Sequence, residues 1–205
     1  LCATTLYGFR SLNVMAEEPC RPFAADRQGI SIGEAAGFAL LEKPDATHDA
    51  DGVLLLGVGE SSDAYHMSSP HPQGLGARLA MERALASAGL KPDAIDYINL
   101  HGTATLVGDA AEDHAVTDLF GTKTPCSSTK GATGHTLGAS GIVEAIFSAL
   151  SILHGLLPGS PHTRRRDPEL KSGYLIEGRT ASVDRVLSNS FGFGGVNCSL
   201  VLGRA

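Results

Sequence analysis

Residues 129–141 of the chain read Thr-Lys-Gly-Ala-Thr-Gly-His-Thr-Leu-Gly-Ala-Ser-Gly, and residues 142–157 continue as Ile-Val-Glu-Ala-Ile-Phe-Ser-Ala-Leu-Ser-Ile-Leu-His-Gly-Leu-Leu. A short run of apolar and small residues at 124–128 predicts a buried strand. The glycines after it predict a turn, and residues 138–157 predict a helix that is apolar nearly all round. Such a helix must be covered on every side, so we expect it at the centre of the domain. Lys130, His135 and backbone N–H groups would then converge on a ligand at its entrance.

Two other interpretations of this stretch are weaker. A membrane span is disfavoured because the run is short, rich in glycine and serine, and carries Glu144 and His154. A nucleotide-binding loop is disfavoured because Gly134 and Gly138 do not complete a G-x-G-x-x-G pattern, and no Gly-Lys-Ser/Thr occurs in the chain. We therefore expect neither a membrane nor a nucleotide to bind here.

The composition is that of an ordinary globular protein with an acidic balance. The 205 residues are 42% hydrophobic and 19% charged, with a formal net charge of −6. This charge argues against a nucleic-acid partner, and we interpret the one basic run, residues 164–166, as a solvated loop. Four cysteines without Cys-x-x-Cys spacing indicate a reduced, cytoplasmic setting, with no disulfide framework and no metal site.

Glycine and proline positions divide the rest of the chain into short elements. Residues 29–41 predict a strand pair or a glycine-bent strand, and residues 44–52 predict a polar loop. From about Gln73, helices and strands alternate, with Gly89 ending one helix and Asp109 capping the start of the next. Further strands are predicted at 53–59, 96–100, 174–176, 183–187 and 199–202. This order predicts a layered α/β domain with a mixed sheet.

Three glycine-rich turns follow predicted strands, and in α/β proteins such turns bind ligands at the carboxyl ends of the strands. They carry, in chain order, His101 with Thr103 and Thr105, Lys130 with His135, and Phe193. Each side chain also has a purely structural interpretation. The histidine would make only structural hydrogen bonds after its strand, the threonines would cap the next turn, and the phenylalanine would pack in the core.

Glu144 lies within the apolar helix, where an unpaired carboxylate is costly, so Lys130 or His135 is expected to pair with it. Two imidazoles, a Lys–Glu pair and a glycine backbone turn together describe a site that stabilises negative charge developing on oxygen. No supported nucleophile accompanies them. Cys126 and Cys198 fall in predicted strands as small buried residues. The other two cysteines, Cys2 and Cys20, lie in irregular stretches with no helix N-terminus after them.

Three ordered motifs resemble the β-ketoacyl-acyl-carrier-protein synthases, or ketosynthases, of the thiolase-like superfamily. The first is His-Gly-Thr-Ala-Thr at 101–105, followed by Gly108, Asp109 and Glu112. The second is Ser-Ser-Thr-Lys at 127–130, with Gly-His at 134–135 and glycines at 138 and 141. The third is Asn-Ser-Phe-Gly-Phe-Gly-Gly at 189–195, with Asn197. The resemblance runs along the full chain, and three motifs of this length in one order are not a chance match.

The resemblance implies a thiolase-like layered α/β fold of two similar halves, each with a mixed five-stranded sheet between helices. Residues 1–70 would be the tail of the N-terminal half, and residues 71–205 the C-terminal half. The family's nucleophilic cysteine would lie upstream of Leu1, and a first residue other than Met suggests a piece of a longer protein. The piece alone is therefore expected to be inactive.

The implied chemistry is a decarboxylative Claisen condensation of an acyl thioester with malonyl-acyl carrier protein, in fatty-acid or polyketide-type synthesis. By resemblance, His101 and His135 donate hydrogen bonds to the malonyl thioester oxygen, while Lys130 and Glu144 support that turn. The backbone N–H of Phe193 contributes to the oxyanion hole, and its ring gates the pocket. The implied pantetheine-binding positions are Thr103, Thr105, Ser68 and Gly194.

The implied partners are acyl carrier protein, the missing N-terminal half and, in the complete enzyme, a second copy of the chain. No cofactor is expected to bind directly, since the phosphopantetheine arm of the carrier brings the substrate. Three alternatives stay open. The first is a non-catalytic subunit like a chain length factor, although such subunits tend to lack the two histidines. The second is another thiolase-type condensing enzyme, which would use a second cysteine as its base. The third is a module that binds acyl carrier protein and carries out no reaction.

Overall fold

The computed structural model describes residues 1–44 and 52–205, so the loop predicted at 44–52 falls almost entirely outside the described residues. The helices α1 to α5 span Ala3–Ser11, Leu75–Ala88, Leu106–Phe120, Lys130–Thr133 and Ser140–His154. The strands β1 to β8 span Val53–Ser62, Tyr97–Asn99, Pro125–Ser127, Leu156–Leu157, Gly173–Tyr174, Arg179–Thr180, Arg185–Phe191 and Val196–Arg204. Short 3-10 turns lie at Pro92–Ala94, Leu137–Ala139 and Phe193–Gly195.

Six strands form one mixed sheet in the order β1-β8-β7-β2-β3-β5, and β4 pairs with β6 in a separate ribbon. Strand β2 pairs in parallel with β7 and β3, whereas β8 runs antiparallel to β7 and β1. The layered α/β prediction is confirmed, with six strands rather than five because β1 adds an edge strand beside β8. Residues 53–62 thus share this sheet, and the boundary placed at residue 70 stays a prediction.

Alternate side chains of the central strands enter two separate cores. One core lies between the sheet and helices α2 and α3, and the other lies between the sheet and α5. Because successive side chains of a strand point to opposite faces, each central strand contributes one neighbour to each core. These pairs of neighbours are Tyr97 and Ile98, Val186 and Leu187, and Val201 and Leu202.

Among the residues that the structure describes, one side of helix α5 packs on the sheet, and its outer side is approached by the irregular segment near Gly37 at Ile142 and Ile146. Its buried residues are mostly small or polar: Ser140, Glu144, Ser148, Ser151 and Ile152. Its apolar stripe is exposed instead, with Ile146, Leu150 and Leu153 at 39%, 42% and 42% of full exposure. The expectation that the helix is covered on every side is therefore wrong for this chain, since a helix packed on one sheet buries only the residues that face it.

The same helix is apolar enough to raise the question of a membrane. By length and composition, residues 137–154 could cross one, a test that the core helix of a soluble protein also passes. Helix α5 packs on β7 and β8, and it buries the carboxylate of Glu144 against Lys130. These contacts favour a helix that is packed within a protein.

The strand predicted at 29–41 is wrong. Ile30 and Ile32 form only isolated bridges, with Met15 and His135, and residues 33–44 have no regular structure. A strand requires a neighbour for its N–H and C=O groups, and no described strand lies beside this segment. Phe38, Leu40 and Leu41 are consequently exposed, Phe38 at 94%, whereas Ile30 is buried.

Candidate active site

A cavity of about 760 Å³ opens where the three predicted turns meet. They meet because β2, β3 and β7 run parallel, so the segments that follow these strands emerge at one edge of the sheet. Six of the residues predicted for the site line this cavity: Ser68, His101, Thr103, Thr105, His135 and Phe193. The convergence that was inferred from strand order is present in the structure.

The two histidines face each other across the cavity. The ring centroids of His101 and His135 lie 5.3 Å apart, with the rings nearly perpendicular at 84°. Nδ1 of His101 lies 3.3 Å from the Nζ of Lys130, and Nδ1 of His135 accepts the N–H of Leu137 at 3.2 Å. Because an ammonium and an amide can only donate, both Nδ1 atoms are acceptors, and each ring carries its hydrogen on Nε2.

Both imidazoles are neutral at physiological pH. Burial is the main cause, and the positive charge of Lys130 adds to it. Together they lower the pKa of His101 well below its ordinary value and the pKa of His135 to about 4. The site therefore offers two uncharged N–H donors in a partly desolvated setting.

Behind the histidines lies a buried ion pair between Lys130 and Glu144. Of the two partners predicted for Glu144, Lys130 and His135, the structure shows Lys130. The ammonium also donates to the backbone oxygen of His101 at 2.5 Å, so it holds that turn directly. Burial raises the pKa of Glu144 to about 7, although Lys130 opposes the shift. The pair therefore links the entrance of helix α5 to the turn that carries His101.

Glu112 is a functional candidate that the site prediction missed. Its buried carboxylate accepts the N–H groups of His101 and Gly102 at 2.8 and 2.7 Å, and the side-chain amide of Asn189 at 3.2 Å. It thus fixes the backbone from which the first imidazole projects. Its spacing was an available signal, because it follows Asp109 by three residues on the same helix and shares its buried face.

The start of helix α3 differs from the prediction. Thr105, not Asp109, is its N-cap, and the threonine side chain accepts the N–H of Gly108 at 3.2 Å. Asp109 is fully buried and accepts the N–H groups of Phe23 and Ala104 at 2.7 and 3.0 Å, and burial raises its pKa to about 7. The capping interpretation of Thr105 is thereby confirmed, while its hydroxyl still lines the cavity.

The third turn holds Phe193 at the mouth of the cavity. The ring is half exposed and stacks on Phe9 at a centroid distance of 5.9 Å, so the alternative of core packing is wrong. The N–H of Gly194 donates to the backbone oxygen of Met67 at 2.8 Å, which ties this turn to the segment that carries Ser68. Gly194 adopts φ 83°, a conformation that favours glycine.

The structure confirms that Cys126 is a buried strand residue and corrects the predictions for the other cysteines in part. Cys126 is fully buried, which raises the pKa of its thiol to about 12, and Cys20 is also buried. Cys198 is partly buried and lines the cavity wall on β8. Cys2 directly precedes helix α1, so the expectation that no helix follows it is wrong; its exposed thiol does not line the cavity that the described residues form.

The cavity has a mostly apolar lining with a few polar groups among it. The hydroxyls of Thr103 and Thr105 lie 3.0 Å apart and can each donate or accept a hydrogen bond. Among residues 1–44 and 52–205, no cluster of three or more histidine, cysteine or acidic side chains could hold a metal.

The layered fold and its solved neighbours place the protein among the thiolase-like ketosynthases. A ketosynthase (ApeO) in complex with its chain length factor (ApeC) from Xenorhabdus doucetiae superimposes with a TM-score of 0.88 at 44% identity, covering 100% of this chain and 51% of that one. A ketosynthase in complex with a type II polyketide synthase acyl-carrier protein, bound to the hexaketide, gives a TM-score of 0.93 at 25% identity, covering 100% and 54%.

Comparison of the sequence with known proteins identifies the family within this class. Residues 53–164 match the C-terminal domain of β-ketoacyl synthase, and the chain belongs to that family. It is 43% identical over 199 residues to the mitochondrial 3-oxoacyl-[acyl-carrier-protein] synthase of Arabidopsis thaliana, covering 92% of this chain and 43% of the relative. The chain spans about half the length of the curated relatives it matches and corresponds to their C-terminal part.

Proposed function

We propose that this chain is the C-terminal part of a 3-oxoacyl-acyl-carrier-protein synthase and supplies the charge-stabilising half of its condensation site. The observation that carries the proposal is the meeting of two neutral imidazoles, His101 and His135, at one cavity, with no hydrogen-bond partner for either Nε2–H among the described residues. Such donors act where negative charge develops on an oxygen atom, and they are most effective in a water-poor site.

The groups needed for the reaction would be divided between this chain and the N-terminal half of the complete enzyme. When malonyl thioester loses carbon dioxide, the electrons of the broken C–C bond move towards the thioester oxygen, which becomes an enolate. The Nε2–H groups of His101 and His135 would stabilise that oxygen, and the enolate carbon would then attack an acyl thioester held on a cysteine of the first half. The backbone N–H of Phe193 is our candidate donor to the oxyanion that this attack creates.

The substrate would arrive on the phosphopantetheine arm of acyl carrier protein. Thr103 and Thr105 present hydroxyls to the cavity beside Ser68, which suits the amide groups of such an arm. Gly194 would act indirectly, since its N–H is already bonded to Met67 and its turn positions the Phe193 ring. The polyketide neighbour, which is itself complexed with an acyl-carrier protein, supports this type of partner.

The exposed apolar surface supports association with further protein. Ile146, Leu150 and Leu153 form a stripe on α5, and Phe38 and Leu41 are exposed on the irregular segment before β1. Contiguous apolar surface of this kind marks an interaction site. We propose that the N-terminal half covers it, that the complete enzyme is a cytoplasmic homodimer, and that the chain alone does not condense substrates.

The test uses the complete protein and purified malonyl- and acyl-carrier protein. His101→Ala and His135→Ala should each lower the rate of condensation by about 10²–10³-fold, the range for loss of one preorganised donor. His114→Ala is the matched control, because this histidine is exposed on helix α3. Retention of full activity by both cavity variants would overturn the proposal. A 3-ketoacyl product formed by residues 1–205 alone would overturn its division between two halves.

A further inference from the structure

Ser140 contacts the catalytic candidate His135 from a side that the condensation scheme does not use. It is the first residue of helix α5, and only 4% of its surface is exposed. Its Oγ lies 3.0 Å from Nδ1 of His135 and 3.3 Å from Oγ1 of the buried Thr136. Neither hydroxyl faces solvent, so these contacts account for the serine hydroxyl within the described residues.

The hydrogens in this cluster can be assigned by elimination. The amide of Leu137 can only donate, so Nδ1 of His135 is an acceptor and carries no hydrogen. In its 3.0 Å contact with this nitrogen the hydroxyl of Ser140 is therefore the donor, and it shares the single lone pair of Nδ1 with the Leu137 amide. Its oxygen is then free to accept the hydroxyl hydrogen of Thr136. A chain of donors thus runs from Thr136 through Ser140 to the ring.

We propose that Ser140 is a positioning residue that holds His135 in the tautomer with its hydrogen on Nε2. This inference rests on the proposed function, in which Nε2–H is the group offered to the enolate oxygen. A hydrogen bond to Nδ1 withdraws electron density from the ring, so it makes Nε2–H a better donor and opposes protonation at Nδ1. It also opposes a flip of the ring, which would exchange Nδ1 with Cδ2 and move Nε2 away from the substrate side.

The amide of Leu137 donates to the same nitrogen, but with the weaker geometry. Its hydrogen bond to Nδ1 is the longer of the two, and it depends on Leu137 staying at φ 54°, a left-handed conformation that leucine rarely adopts. Ser140 is anchored by helix α5 instead. The other charged or titratable groups near the His135 ring are His101 and Lys130, and both disfavour a second positive charge there.

A purely structural serine would behave differently. Many serines in helices only bond a carbonyl of the preceding turn, as Ser151 does with the backbone oxygen of Phe147 at 3.0 Å. Loss of such a hydroxyl changes stability but leaves a distant imidazole unchanged. Ser151→Ala is therefore the matched control, since this serine is also buried on α5.

The experiment compares Ser140→Ala, Ser140→Thr and Ser151→Ala in the complete protein labelled with ¹⁵N-histidine. In Ser140→Ala we expect the Nδ1 resonance of His135 to move, a fraction of the ring to adopt the Nδ1–H tautomer, and its pKa to rise. Malonyl-thioester decarboxylation should fall about three- to tenfold in kcat with KM unchanged, the range for one buried hydrogen bond. Ser140→Thr, which keeps the hydroxyl, should restore both readouts.

Two results would overturn the inference. One is an unchanged His135 resonance and pKa in Ser140→Ala, whatever the activity. The other is an equal change in Ser151→Ala. If the wild-type protein has no decarboxylase activity, the proposed function fails, yet the resonance shift in Ser140→Ala still decides whether the serine sets the tautomer.

Discussion

Replacing one member of the buried Lys130–Glu144 pair should destabilise the protein more than replacing both. Only 1% of Lys130 and 2% of Glu144 is exposed, so either group left alone would be a charge without water or a counter-charge. The variants are Lys130→Met, Glu144→Gln and the double variant. Met and Gln keep the length of the original side chains, so the comparison isolates charge from packing volume.

The magnitude follows from burial. Breaking a buried ion pair by removing one partner costs about 3–5 kcal/mol, whereas removing both costs far less. Burial already raises the pKa of Glu144 from 4.5 to about 7 with Lys130 present. At about 1.4 kcal/mol per pKa unit, ionising this carboxyl in the folded protein is opposed by about 3 kcal/mol. The pair itself therefore adds little net stability, and the double variant should lose only about 1–2 kcal/mol.

The two single variants should respond to pH in opposite directions. In Lys130→Met, the pKa of Glu144 rises further above its unfolded value. A group with a raised folded pKa contributes stability at low pH that is lost as pH rises, so this deficit should grow from pH 6 to pH 9. In Glu144→Gln the carboxyl with the raised pKa is gone, so the stability that the wild-type protein loses as pH rises towards 7 is not lost, and that deficit should shrink over the same range.

Urea midpoints of the complete protein at pH 6, 7.5 and 9 provide the measurement. The control is Glu82→Gln, which breaks an exposed pair with Arg78 and should cost less than about 1 kcal/mol at every pH. The reasoning is refuted if both single variants show the same pH slope. It is also refuted if the double variant loses the sum of the two single losses, since the charges would then be independent.

Three further outcomes are expected. The imidazole of His135 should stay neutral until about pH 4 in a histidine NMR titration, and its lowered pKa should cost stability as pH falls from 6.5 towards 4; titration near pH 6.5 would contradict burial of the ring. Gly131→Ala should lower the free energy of unfolding by about 1–3 kcal/mol, because the new Cβ would lie 2.2 Å from the backbone oxygen of Pro161, whereas Gly8→Ala on α1 meets nothing within 4 Å and should not destabilise. Thr105→Val should cost about 1 kcal/mol through loss of the α3 cap and raise KM for the carrier-bound substrate, and Thr105→Ser should correct both; an unchanged melting temperature in the valine variant would argue against the cap.

Local signals in the sequence were sufficient to predict several helices and strands and the convergence of the three turns at one edge of the sheet. The apolar run at 53–59 became part of β1, and Gly89 ends α2 in a left-handed conformation, as predicted. The turns after β2, β3 and β7 share one edge because parallel strands end on the same side. That topology brought His101 and His135 together from positions 34 residues apart.

Predictions failed where the outcome depends on a distant neighbour. Residues 29–41 have the composition of a strand, but pairing requires a free edge, and the described sheet ends at β1 on one side and β5 on the other. Helix α5 has the apolar content of a central helix, but its burial depends on layers on both sides, and only one is present among the described residues. The hydrophobic pattern predicts which side chains need to be buried, but it does not predict which part of the protein buries them.

The sequence by itself determined the ketosynthase motifs, the α/β order and the identity of the residues at the turns, because these depend on neighbours within a few positions of the chain. Only the tertiary structure decided that Lys130 pairs with Glu144, that Glu112 holds the backbone of His101, and that Ser140 faces Nδ1 of His135. Each of these is a contact of a few ångströms between atoms on different elements. Hydrogen bonds and desolvation act over such distances, which packing sets and residue order does not.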